Sequence, residues 1–176
     1  MNKNFYCLGL MSGTSMDGID GSIIYSDGVD NFEVIENFYY KYENNFNNKL
    51  SDLKNKIISD KDLKYYEKDI KELEREITVL HAEFANTILK NYQNEIDLVG
   101  FHGQTIYHNS EEKVTKQLGD GKLLSQLLKK KIVYNFREND IKNNGNGAPL
   151  APIYHSAIAK KIKKNNIIFL NIGGIS

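Results

Sequence analysis

The sequence has almost no proline or cysteine: two prolines, Pro149 and Pro152, one cysteine, Cys7, and no tryptophan in 176 residues. A lone cysteine cannot close an intramolecular disulfide, so a disulfide scaffold is excluded and a reducing compartment fits. Cys7 lies inside the first apolar run, where a small core filler is expected. Net charge is missing too. The 23 basic and 23 acidic residues cancel, leaving no global field to draw the protein to nucleic acid or to an anionic membrane. No apolar run reaches membrane-spanning length, and the N-terminal run is too short for a signal-peptide core, so the cytoplasm is expected. The sequence also lacks a cysteine pair, a His-x-x-x-His, a Gly-Lys-Ser/Thr phosphate loop and a Gly-x-Ser-x-Gly elbow. The lysine-rich stretches at 129–131 and 160–164 lack interleaved aromatics and read as solvated faces.

What is present begins at Leu8-Gly9-Leu10-Met11-Ser12-Gly13-Thr14-Ser15-Met16-Asp17-Gly18-Ile19-Asp20. An apolar run breaks into a Gly/Ser/Thr turn and re-enters an apolar run past Asp-Gly, which predicts strand, tight turn, strand. Glycines let backbone N–H groups approach an anion, the hydroxyls add donors, and Asp17 can hold a metal or its water. Two readings stand: a phosphate-binding hairpin, or an ordinary hairpin with a polar tip.

A chain of 176 residues is long enough for one full core, with room for the start of a second. Strands are expected over 5–11, 19–25 and 32–42 as an antiparallel meander, and a helical stretch over 50–92 from its three- and four-residue apolar spacing. His81 sits beside that face, packed or at its edge. A buried strand follows over 97–107, a helix over 119–130, a strand over 131–136, a helix over 150–164 and a last strand over 167–172. Antiparallel strands followed by alternating helices and strands make an α/β fold with a mixed sheet. That layout is similar to the ribonuclease-H-like unit, whose duplication builds actin-like ATPases and sugar kinases. The chain end, Ile167 to Ser176, repeats the apolar-to-Gly/Ser pattern of Phe5 to Ser15. The expectation is one lobe with its connecting helix over 1–164 and the first strand of a second lobe over 165–176.

Gly100-Phe101-His102-Gly103-Gln104-Thr105 falls where a strand ends, the edge at which open α/β sheets bind ligands. His102 and Gln104 suit a polyhydroxylated ligand, or else they brace the turn. His108 is expected to be exposed. Arg137 and Asp140 follow a strand and precede an Asn/Gly-rich shaped loop, 143–150. Asp140 is a candidate general base and Arg137 an anion partner, with an Arg137–Asp140 ion pair as the alternative. His155, one turn into the following helix, is expected in the core.

Six blocks together resemble the anhydro-N-acetylmuramic acid kinase family: residues 9–20, 100–108, 117–121, Phe136-Arg137 with Asp140, 145–150 and 171–175. The resemblance implies an actin-like kinase that uses ATP and Mg²⁺ to convert 1,6-anhydro-N-acetylmuramic acid to N-acetylmuramic acid 6-phosphate in peptidoglycan recycling. Water opens the anhydro bridge in that family while the released O6 receives the γ-phosphate. By position, Gly13, Thr14, Ser15, Met16, Asp17, Gly18, Ile19 and Asp20 match the ATP phosphate-binding segment, with Asp17 beside Mg²⁺. Asp140 matches the water-activating aspartate. His102, Gln104, Arg137 and Gly147 fall near the sugar, and Asn171, Gly173 and Gly174 begin a second phosphate loop. Asn135 and Asn144 depart from the family pattern, which has Asp and Gly there. The implied partner is a small sugar, with neither nucleic acid nor membrane, and a homodimer is left open. The rival reading is a non-catalytic single-lobe binding module. A nuclease on the same unit needs more converging carboxylates than Asp17 and Asp140.

Overall fold

The computed structural model describes residues 3–162 and 166–170. The expected meander is present: β1 (Phe5–Ser12), β2 (Gly18–Ser26) and β3 (Phe32–Lys41) pair antiparallel in that order. Strand period two explains their faces. Leu8, Leu10, Ile19 and Ile23 are buried on one side, while Gly9, Met11 and Asp20 are exposed on the other. Cys7 is only half-buried, not the core filler the sequence suggests.

The helical stretch begins earlier than its apolar spacing predicts and is broken twice, into α1 (Asn44–Lys56), α2 (Asp60–Tyr65) and α3 (Glu67–Asn91). The first break is made by Asp62, whose carboxylate accepts from the N–H groups of Ile58 and Ser59 at 3.0 and 2.8 Å. Those donors would otherwise be orphans at the start of α2. α3 lays Ile70, Leu73, Ile77, Ala85 and Ile88 against the sheet. Truncating a fully buried side chain such as Ile77 to alanine costs on the order of 2–5 kcal/mol.

β4 (Leu98–Asn109) runs parallel to β1. Its first half pairs in parallel with β6 (Ile132–Tyr134) and its second half antiparallel with β5 (Val114–Leu118), giving a six-stranded mixed sheet. β5 has no sequence signal, because Thr115, Lys116 and Gln117 are polar; they are half-buried at the sheet edge, where charge is tolerated. α4 (Gly121–Leu128) is capped by Asp120, which accepts from the N–H groups of Lys122 and Leu123, and it ends at left-handed Lys129. α5 (Phe136–Lys142) is a short helix that the sequence reading lacks, and α6 (Pro152–Ile162) is the expected one. The meander with β4 and β6 parallel to β1 is the actin-like ATPase lobe expected from the element order. The expected strand over 167–172 is not borne out. Residues 166–170 carry no strand, since no neighbouring strand among the described residues offers them a ladder, and 171 and 172 lie outside those residues.

The two apolar clusters, around Leu50, Ile77 and Leu118 and around Leu8, Val99 and Phe101, both include α3-side residues. The opposite sheet face holds a cleft of about 440 Å³, floored by Gly9 and Gly100 and walled by Asp20, Asn37, His102 and Phe136. Among the described residues no helix is long and apolar enough to cross a membrane.

Candidate functional site

The turn after β1 is anchored from below and open above. Met16 adopts φ +57, buries its side chain and donates its N–H to Gly13 O at 3.1 Å. Its carbonyl accepts from Asn47 Nδ2 of α1 at 2.7 Å, and Asp17 O accepts from Tyr42 N–H at 2.9 Å. Gly18 is required where it stands, because a Cβ there would lie 2.3 Å from Tyr40 O. At Gly13 a Cβ would meet only Ser15 Oγ at 3.8 Å, so the tip leaves room for a ligand. Thr14 and Ser15 are exposed, and their N–H groups make no hydrogen bond among the described residues. The Ser15 hydroxyl donates to Asp17 Oδ1, and this bond foremost lowers the Asp17 pKa, keeping the carboxylate ionised. Asp20 is shifted the other way, by desolvation first and then by the charge of Asp17. Among the described residues no three His, Cys, Asp or Glu side chains cluster to hold a metal. A hard cation beside Asp17 would therefore take most of its ligands from water and phosphate, the usual coordination of Mg²⁺.

A bulge separates the two polar side chains of the 102–104 turn. The register runs Leu10↔Phe101 and then Met11↔Gly103, so His102 is the extra residue of β4. Gly103 sits at φ +69, and a Cβ there would be 2.0 Å from Leu118 O, which only glycine avoids. His102 consequently lines the open cleft, whereas Gln104 turns inward and is fully buried. Gln104 Oε1 accepts from Ser12 Oγ at 2.6 Å, and its Nε2 donates to Thr105 O at 3.1 Å. Of the two sequence alternatives, His102 faces the cleft and Gln104 braces the turn.

On α5, Arg137 and Asp140 grip the same loop residue, Gly147, through the two peptide units that flank it. Arg137 Nη1 donates to Gly147 O at 2.8 Å, and Asp140 Oδ2 accepts from Gly147 N–H at 2.7 Å. Arg137 Nε donates to His102 Nε2 at 2.9 Å, and His102 Nδ1 bonds Gly103 O at 2.9 Å. Burial and then the Arg137 charge lower the His102 pKa, so the ring is neutral and free to accept. Gly145 supports Asp140: a Cβ there would lie 2.1 Å from Asp140 Oδ2. Lys113 Nζ, from the β4–β5 connection, donates to Gly145 O at 3.0 Å. Asn144 takes φ +66, the conformation glycine adopts more easily. The Arg137–Asp140 ion pair is not formed among the described residues.

His81 is fully buried, with Nδ1 2.8 Å from Ile77 O; His108 is exposed as expected. His155 is half-buried and stacks on Phe169 with ring centroids 4.4 Å apart, so it is not the core residue expected. Asn171, Gly173 and Gly174 lie outside the described residues. Asn47, Tyr42 and Lys113 escaped sequence reasoning. They act through backbone groups or from distant elements, and no local motif marks them.

The sequence profile of the anhydro-N-acetylmuramic acid kinase family matches residues 5–176. The chain is 55% identical over 178 residues to the anhydro-N-acetylmuramic acid kinase of Pelagibacter ubique, covering 100% of the chain and 47% of that relative. It is 38% identical over 175 residues to the protein of the same name from Brucella canis, covering 96% of the chain and 47% of the relative. With the Rhizobium etli protein of that name, identity is 38% over 174 residues at the same two coverages, 96% and 47%. The chain thus spans about half the length of the curated relatives it matches.

Proposed function

The chain belongs to the anhydro-N-acetylmuramic acid kinase family, and from that premise we propose that it carries the base and the first phosphate turn of an ATP-dependent sugar kinase. The reaction is 1,6-anhydro-N-acetylmuramic acid plus ATP and water to N-acetylmuramic acid 6-phosphate plus ADP, in cytoplasmic peptidoglycan recycling. The observation that carries this reading is Asp140. One carboxylate oxygen is fixed by Gly147 N–H, Gly145 leaves it space, and Arg137 is bound to His102 and Gly147 instead of neutralising it. That is a carboxylate oriented for proton transfer. Asp140 takes a proton from water as the water oxygen bonds C1; the C1–O6 bond breaks, and O6 receives the γ-phosphoryl group as its bond to ADP breaks.

The turn at Gly13–Asp17 suits the phosphates. Its exposed Thr14 and Ser15 offer unbonded N–H groups, the Ser15 hydroxyl being held by Asp17, and Gly18, Ile19 and Asp20 carry the chain back into the sheet. Mg²⁺ beside Asp17 would supply charge neutralisation of the transferring group. His102, Arg137 and Gly147 shape the sugar side, with Gln104 behind them. Asn171, Gly173 and Gly174 open a second phosphate segment, with residues 1–164 as one lobe and 165–176 starting another.

The test is sugar-dependent ADP release by the chain joined to the remaining half of its Pelagibacter relative, the completed kinase below. Asp140→Asn should cut turnover roughly a hundredfold or more with sugar and ATP affinities within a few-fold, since an amide keeps the shape and cannot take the proton. Near-normal turnover in that variant removes Asp140 from the role. No turnover by the unsubstituted completed kinase leaves the binding-module reading.

A further inference from the structure

Beneath the phosphate turn lie three polar side chains with almost no access to water: Ser12, Gln104 and Tyr42, exposed by 1%, 0% and 3%. Two are paired, Ser12 Oγ donating to Gln104 Oε1 at 2.6 Å. The Tyr42 hydroxyl is buried without a hydrogen bond. Ser12 is buried beside it under the same turn, and burial foremost pushes the tyrosine pKa well above its ordinary value. An orphaned buried hydroxyl is costly, and phenylalanine would fill the same space without that cost. Ser12 retains two lone pairs while it donates to Gln104, so it can accept from Tyr42 with no change in its own bond. An approach of the two groups would complete that bond.

The backbone supplies a route for that approach. Ser12 is the last residue of β1 before the turn, and Tyr42 N–H holds the turn's far end through Asp17 O at 2.9 Å. Tyr42 also packs in one apolar cluster with Met16, the residue that closes the turn. Drawing the tip inward around an anion moves both attachment points.

We propose that Tyr42 is a positioning residue whose hydroxyl is unpaired in the free protein and bonds Ser12 when the Gly13–Asp17 turn closes on phosphate, linking that turn through Gln104 to the His102 bulge. This rests on the phosphate reading of the turn given above. Its consequence is an unusual combination: Tyr42→Phe should leave the free protein at least as stable as wild type and yet weaken the loaded state.

The test pairs equilibrium unfolding with calorimetric titration by Mg-ATP, on the completed kinase and its Tyr42→Phe, Ser12→Ala and doubly substituted forms. Expected are an unfolding midpoint for Tyr42→Phe equal to or above wild type, an affinity for Mg-ATP about tenfold lower, and a double variant no weaker than the weaker single one. A Tyr42→Phe protein that is less stable when free overturns the proposal, because the hydroxyl is then already bonded at rest. Wild-type affinity in Tyr42→Phe overturns it as well, with the phosphate reading intact. Failure of the unsubstituted protein to bind Mg-ATP overturns the phosphate reading and the proposal together.

Discussion

Arg137 Nε donates to His102 Nε2 across 2.9 Å, joining a short helix to the bulge of a central strand 35 positions away in sequence. Guanidinium has donors only, so that ring nitrogen must be unprotonated, and Nδ1 carries the hydrogen given to Gly103 O at 2.9 Å. Burial foremost, with Arg137 adding to it, lowers the His102 pKa and preserves this tautomer. The pair fixes the guanidinium so that its Nη1 meets Gly147 O at 2.8 Å, and Gly147 N–H in turn holds Asp140.

Arg137 should therefore act on catalysis through the loop. Arg137→Lys supplies one ammonium where two divergent donors are needed. In the completed kinase the expected outcome is a kcat at least tenfold lower with the sugar KM within a few-fold. His102→Phe should do the same, and His102→Gln, whose amide oxygen can accept from Arg137, should recover part of the loss. A KM effect without a kcat effect in steady-state kinetics would instead place Arg137 directly on the sugar.

Gly145→Ala tests the support of Asp140 without touching its chemistry. The new Cβ would stand 2.1 Å from Asp140 Oδ2, so the carboxylate must leave its bond to Gly147 N–H. The site lies in an exposed loop, and the expected unfolding midpoint is close to wild type while turnover of the completed kinase drops tenfold or more. Unfolding and turnover measured on the same preparation separate the two effects.

The strands of the meander were legible because their apolar periodicity is strong and their turns carry Gly, Asp and Ser. β5 was not, because an edge strand of polar residues has no apolar face to show. Its pairing is dictated by the free edge of the second half of β4. Candidate site groups stand out in the sequence where a motif is local, as at Gly13–Asp17 and Asp140. Their placement was illegible where one residue shifts the register: nothing in Phe-His-Gly-Gln says that a bulge sends His102 to the cleft and Gln104 to the core. Asn47 reaches the turn from 31 positions away, and only the packing of α1 beside the turn brings it there.

Stability should fall as pH falls through the histidine range, where His81, His102 and His108 all have lowered pKa values and the fully buried His81 sets the lower edge. Burial foremost lowers the His81 pKa to about 4, and Nε2 has no partner that would welcome a proton. The unfolded chain binds that proton near pH 6.5, the folded one only near 4, so stability declines as pH falls through this interval and levels off below it. A gap of that size amounts to about 3 kcal/mol. Asp17, Asp27 and Asp62, whose pKa values are lowered, lose their contributions only at more acid pH. Urea midpoints at pH 7, 5.5 and 4.5 should fall steadily in the native chain and much less in His81→Leu, and parallel declines in both would assign the effect elsewhere.

The phosphate turn should show itself in nucleotide binding and not in sugar binding. Gly13→Val fills the space left open at the tip, where a Cβ otherwise meets only Ser15 Oγ at 3.8 Å, and blocks the close approach of an anion to the Thr14 and Ser15 N–H groups. Asp17→Asn keeps the hydrogen bond with Ser15 but removes the charge that would attract Mg²⁺. Both substitutions lie at an exposed tip, so folding should be little affected. Calorimetric titration of the completed kinase should find Mg-ATP affinity reduced at least tenfold in Gly13→Val and several-fold in Asp17→Asn, with anhydro-sugar affinity within a factor of two. Magnesium dependence distinguishes the two lesions. Raising Mg²⁺ should recover much of the loss in Asp17→Asn by mass action and none in Gly13→Val, where the obstruction is steric. Unchanged nucleotide affinity in both variants returns the turn to an ordinary hairpin with a polar tip.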